Sequence, residues 1–201
     1  MRFRAARFLL SFFLFIGVLN AAPQPVTLPV AEQDALASRL FKEMAEAEKW
    51  DLDTFIADYK TVIVKCPDTP QAEMACWRLS NLYLTADQEP NHEGVIETLE
   101  HFTTKYPGNI LYGEAKERLL ISYKAILDWK KVGEMYEELF RLNPQPTDEE
   151  TMRWSLGYGE ALAELGKKDQ AKKYFEEVLK KDNNRDSLEA RVSRAKLEGL
   201  K

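Results

Sequence analysis

The chain has 201 residues, and 28 Lys and Arg against 33 Asp and Glu give it a formal charge of −5 at pH 7. That length suits one modest domain. The acidic balance makes a polyanion such as nucleic acid a poor partner and a basic protein a better one.

Residues 1–21 read as a secretory signal. Arg2, Arg4 and Arg7 precede Phe8–Leu19, a mostly apolar run of 12 residues, and Ala21 and Ala22 offer small residues for cleavage. A spanning helix needs about 20 apolar residues, so this run is short for a permanent anchor. The reading is a signal cut after Ala21, which places the mature chain in the periplasm or outside the cell. An uncleaved anchor or a buried helix is the alternative. Cleavage removes three arginines and takes the charge from −5 to −8. Residues 22–31, with Pro23, Pro25 and Pro29, read as a Pro-rich linker. Residues 32–201 then form one helical domain.

The apolar periodicity predicts helices in chain order. Glu32–Lys49 places Leu36, Leu40, Phe41, Met44 and Ala47 on one stripe, and Asp51–Lys65 does so with Phe55, Tyr59 and Val62. Pro67 and Pro70 end that helix and start Gln71–Leu84, which carries Ala75, Leu79, Leu82 and Tyr83. His92–Lys105 follows with Val95, Ile96, Leu99 and Phe102, and Pro107-Gly108-Asn109 breaks the chain. Tyr112–Leu127 shows Ala115, Leu119, Leu120 and Tyr123. Asp128 and Trp129 bend it into Lys130–Leu142, with Val132, Tyr136 and Leu139 inward. Thr147 to Glu150 caps Thr151–Leu165, which Gly166 closes. Asp169–Lys181 carries Ala171, Phe175 and Val178, and Ser187–Leu200 turns Leu188, Val192 and Ala195 inward as a C-terminal capping helix. No useful alternating pattern appears, so the fold class is all-α.

Three stretches repeat one plan: Ala72–Pro107, Tyr112–Pro144 and Glu150–Asn183. Each is two apolar-periodic runs and a stop. The stops end at Pro67, Pro107, Pro144 and Asn183, in steps of 40, 37 and 39 residues. A period of this size built from helix pairs marks a solenoid. Its units bury their apolar faces only by stacking, and the stack leaves a long concave surface.

The third unit reads WSLGYGEALAELGKKDQAKKYFEEVLKKDNN from Trp154 to Asn184 and resembles the tetratricopeptide repeat. The family pattern asks for a small residue late in helix A, a large one three later, a small one early in helix B and an aromatic four later. Gly159, Leu162, Ala171 and Phe175 stand there. The second unit offers Leu120, Tyr123, Val132, Tyr136 and Pro144; the first offers Ser80, Tyr83, Val95, Leu99 and Pro107. The first two lack the small residue in helix B, and the first holds about three extra residues in its inner turn. Asp51–Pro67 looks like half of a degenerate earlier unit. The resemblance implies a right-handed superhelical stack of antiparallel helix pairs. Lys105-Tyr106-Pro107 after a helix is similar to repeats in two bacterial envelope families, the Tol–Pal-associated cell-division coordinator and the outer-membrane-assembly lipoprotein. Both act as binding scaffolds. The first family's coiled coil and the second's lipidated Cys are missing here, so only the compartment and the binding role carry over.

In tetratricopeptide arrays helix A of each unit lines the concave groove. That register implies Trp77, Asn81 and Leu84 from the first unit, Glu117, Ile121 and Lys124 from the second, and Arg153, Leu156 and Glu160 from the third. Trp77 reads either as an interface anchor or as a core residue sealing the first pair. The charges read as contacts or as a solvated face. Asn81 matches one place of the family's clamp for a C-terminal carboxylate, but Trp77 stands where that clamp needs Lys.

Cys66 and Cys76 form either a disulfide across a helix turn, in an oxidising compartment, or two small buried thiols. No CxxC motif and no zinc spacing occurs. His92 and His101 lack an evident relay, and no nucleophile elbow, phosphate loop or helical zinc motif appears. The expectation is a non-enzymatic, cofactor-free scaffold that binds a protein or peptide of the cell envelope, with no nucleic acid and no small-molecule substrate. The alternative is a structural subunit of an envelope assembly or secretion complex.

Overall fold

The computed structural model describes residues 28–49, 51–143, 145–183 and 185–200. The signal and most of the linker lie outside the described residues, as does Pro144. Among the described residues the fold is all-α, with nine helices and no strand. They are α1 (Val30–Glu46), α2 (Leu52–Lys65), α3 (Pro70–Thr85), α4 (His92–Lys105), α5 (Tyr112–Ala125), α6 (Trp129–Leu142), α7 (Asp148–Glu164), α8 (Lys168–Asp182) and α9 (Leu188–Gly199).

Local chemistry sets most ends. Thr69 caps α3, whose first residue is Pro70, a position that needs no backbone donor. Asn91, Asp128 and Ser187 accept from backbone N–H groups at the starts of α4, α6 and α9. Thr147 and Glu150 form a full capping box, so α7 begins at Asp148, three residues before the predicted start. α1 begins at Val30, inside the stretch read as linker.

The bend between α5 and α6 is Ile126–Asp128, not Asp128–Trp129, because the Asp128 side chain already caps α6. Leu127 takes a left-handed φ of 61° there, and Gly166 takes one of 75° in the matching bend between α7 and α8. Both bends close alike. Leu127 and Asp128 N–H donate to Lys124 and Tyr123 carbonyls at 3.1 and 2.9 Å; Gly166 and Lys167 N–H donate to Ala163 and Leu162 carbonyls at 2.9 and 2.8 Å. This is the double-bonded C-terminal turn that usually takes Gly at its left-handed residue.

Helices pack only on neighbours one or two places away in the chain. The buried residues run as one core from Ala37 to Phe175. Of the described residues matched to the repeat pattern, Ser80, Tyr83, Val95, Leu99, Tyr123, Val132, Tyr136, Gly159, Leu162, Ala171 and Phe175 are all buried; Leu120 is half-buried and Pro107 exposed. The early helix-B position lacks a small residue only in strict register. Gly94, one place before Val95, lies under the Tyr83 ring, where a Cβ would come within 2.8 Å of ring carbons.

Two inward faces differ from expectation. In α1, Ala47 falls past the helix end and is exposed, while Gln33 and Ala37 are buried. The Gln33 amide explains its burial: it donates to the Leu28 carbonyl at 2.7 Å and accepts from Asp68 N–H at 3.1 Å. In α9 the inner face is Ala190 and Ser193, with Leu197 and Leu200 beside the core, and Leu188 is exposed. Leu188 is the first residue after the Ser187 cap, where the chain is still entering the helix.

The first two stops are tied together. Tyr106 Oη donates to the Pro67 carbonyl at 2.9 Å, and Lys105 pairs with Asp68 at 3.2 Å. The Lys-Tyr-Pro stop therefore clasps the stop one unit earlier.

Candidate functional site

The first helices of the units, α3, α5 and α7, share a side-chain ladder with α9. The Arg118 guanidinium lies 3.8 Å from the centre of the Trp77 ring, and it also reaches Asn81 and Glu114. Lys124 pairs with Glu160 at 3.7 Å, and Lys196 pairs with the same carboxylate at 3.5 Å. Trp77 is thus half-buried with one face under Arg118, and Asn81 is occupied. Leu84 and Leu156 pack against the core. Glu117, Ile121 and Arg153 do something else: they border a cleft.

That cleft has a volume of about 480 Å³ and lies between α5, α6 and the start of α7. Its lining is mostly apolar, with Leu120, Ile121, Met135, Leu139 and Trp154 among the walls. Its place in the array matches a difference in residue size. Ser80, Leu120 and Gly159 occupy the same place in the three units. The closeness of each pair follows that residue: α7 and α8 meet most tightly, α3 and α4 less so, α5 and α6 least. Gly159 sits under the Phe175 ring, where a Cβ would come within 2.7 Å of it. Leu120 stands at that place in α5, the helix whose pair meets least closely, and it lines the cleft.

The far wall is firm. Gly157 of α7 lies under the Tyr136 hydroxyl of α6. Phe140, Trp154, Tyr158 and Tyr174 pack with ring centres 4.7–6.1 Å apart. Tyr158 Oη donates to Glu137 at 2.5 Å, and burial followed by that carboxylate raises its pKa.

Across the gap runs one polar bar, Lys116 to Glu138 at 2.8 Å. A second cavity of about 610 Å³ lies behind it, between α4, α5 and α6. Its walls hold Glu97, Glu100, Glu134 and Glu138 against Lys116 and Lys131. Lys131 pairs with Glu100 at 3.4 Å, and Tyr123 also donates to that carboxylate. Burial and Glu100 both raise the Tyr123 pKa. At the cleft mouth, Glu150 is held below the usual carboxylate range by Thr147 N–H and hydroxyl, with Arg153 adding to this. Among the described residues the Glu117 side chain makes no ion pair or hydrogen bond.

The helix-A register predicted only three of the cleft's residues. It missed Arg118, which covers Trp77, and it missed all of α6. One signal was visible: a Leu where the pattern asks for a small residue.

Cys66 and Cys76 are both buried and unbridged. Burial raises both thiols, Cys76 to about 12. His92 Nδ1 lies 3.3 Å from Ser122 Oγ, and the His101 ring packs on Tyr106. Among the described residues no group of His, Cys, Asp and Glu is arranged to hold a metal ion, and no helix is long and apolar enough to cross a membrane. Compared with known proteins, the chain matches no protein-family model and no curated protein.

Proposed function

We propose that this protein is an exported scaffold of the tetratricopeptide type, its helix pairs stacked in a right-handed superhelix, which binds a protein or peptide of the cell envelope. The observation that carries this reading is the apolar cleft between α5, α6 and α7, which the chain's own side chains leave unfilled. Packing restricted to neighbouring helices supports a stacked array. The ladder along α3, α5, α7 and α9 gives that array a continuous face of first helices. Export rests on the basic, apolar and small-residue order of residues 1–21.

Two measurements test the reading. N-terminal sequencing of chain recovered from the envelope should begin at Ala22; a cytoplasmic chain that retains Met1 refutes export. A photo-crosslinker placed at Ile121 or Glu117 should trap one partner in intact cells, and a crosslinker at exposed Val64 should not. Equal trapping at all three positions refutes a localised binding face.

A further inference from the structure

We infer that the α5–α6–α7 cleft receives a cationic amphipathic segment of the partner, with apolar side chains seated in the cleft and Lys or Arg reaching the acidic cavity behind the Lys116–Glu138 bar. This rests on the scaffold reading and names the chemistry of its partner. The cleft wall accounts for the apolar side of such a segment. Leu120, Ile121, Met135, Leu139 and Trp154 present apolar surface to an opening, and Ile121 is 61% exposed. A Met in such a wall adapts to side chains of different shape.

The cationic half is the charge balance. The rear cavity sets four carboxylates against two ammonium groups, and both ammonium groups are already paired, Lys116 with Glu138 and Lys131 with Glu100. Glu97 makes no ion pair among the described residues, and Glu134 pairs only with Lys130 on its own helix at 3.9 Å. At the mouth Glu117 is unpaired. Arg153, also at the mouth, faces Glu150, and with both included the two cavities are lined by six carboxylates and three cations, so the charge around the gap is negative. A second copy of this chain, at −5 overall, is a poor occupant, and so is an anionic ligand. A basic segment is steered toward the gap and held by the carboxylates within it.

The test uses two peptides of about four helical turns, one of Leu and Lys and one of Leu and Glu in the same amphipathic order, titrated against the exported full chain by fluorescence anisotropy. The Leu/Lys peptide is expected to bind saturably at one site and at least about tenfold tighter than the Leu/Glu peptide. Ile121→Ser and Glu117→Gln should each weaken it by about threefold or more, with circular dichroism unchanged. Val64→Ser, at an exposed position on α2, should leave it unchanged. Comparable binding of the two peptides overturns the proposal, as does the absence of saturable binding. Binding that salt abolishes and Ile121→Ser does not touch also overturns it, since that is surface charge attraction alone. Loss on Val64→Ser but not on Ile121→Ser overturns the cleft while leaving the scaffold reading intact. The crosslinking experiment decides the scaffold reading separately.

Discussion

Leu127 is the residue where the backbone and the side chain disagree most, and substitution there has a sign that can be worked out. Its φ of 61° is left-handed, and its side chain is 66% exposed. An L-residue in that region costs about 1–2 kcal/mol that Gly does not incur. Replacing Leu by Gly removes the strain but also forfeits the covered third of a Leu, about 0.5–1 kcal/mol from the usual value for full burial. Those terms nearly cancel, so Leu127→Gly alone decides little. The comparison of Leu127→Gly with Leu127→Ala does decide. Both lose the side chain beyond Cβ, and they differ in the backbone term. Gly should be the more stable of the two by about 1 kcal/mol, or about 2–4 °C in Tm for a domain of this size. In an ordinary helix interior the order is reversed, with Ala ahead of Gly by about 0.5–1 kcal/mol. Gly166→Ala should lose a similar amount, because no atom lies within 4 Å of the added Cβ to compensate or clash. Thermal unfolding followed by circular dichroism measures all three. If Leu127→Ala equals or exceeds Leu127→Gly in Tm, Leu127 is not left-handed in the folded protein.

Gly159→Ala should destabilise by about 1–2 kcal/mol, since overpacking against the Phe175 ring outweighs the helix-propensity gain; Gly113→Ala, with nothing within 4 Å of its Cβ, should be neutral or slightly stabilising in the same assay. Adding Phe175→Leu to Gly159→Ala should recover part of the loss, and strict additivity would contradict the contact. Acid should destabilise the fold. The Asp182 carboxylate is held below its ordinary pKa first by the Ser187 hydroxyl, then by the N–H groups of Ser187 and Asp186; hydrogen bonds from Gln33 and Lys105 hold Asp68 down likewise. A lowered carboxylate pKa gives stability that is full above the unfolded value, about 3.9 for Asp, and is lost as pH falls through the folded value. Asp182→Asn should lower Tm at pH 7 and flatten the decline below pH 4; an unchanged acid limb refutes this. Native Cys66 and Cys76 should resist iodoacetamide at pH 8, because the thiolate is the reactive form and burial raises both pKa values. Denaturant without reductant should expose two reactive thiols, and finding none would mean a bridge.

The sequence determined the helices and their order. Amphipathic periodicity is a local property, and so are caps such as Thr69-Pro70, the Thr147–Glu150 box and Gly166, which is why seven of the nine stripes and most ends were legible from residues alone. Where local reading failed, the competing force was tertiary or sat at an end. Gln33 is buried because Asp68, 35 residues away, meets its amide. Leu127 hid a left-handed turn because no Gly marked it. The site was less legible for the same reason. The first helix of each pair was readable from periodicity, but whether Trp77 stands open depends on Arg118 folding over it from another helix. How closely α5 and α6 meet depends on neighbours whose positions no local pattern encodes. A hairpin's closeness is a property of two facing surfaces, so only packing could decide that the second unit opens while the third closes.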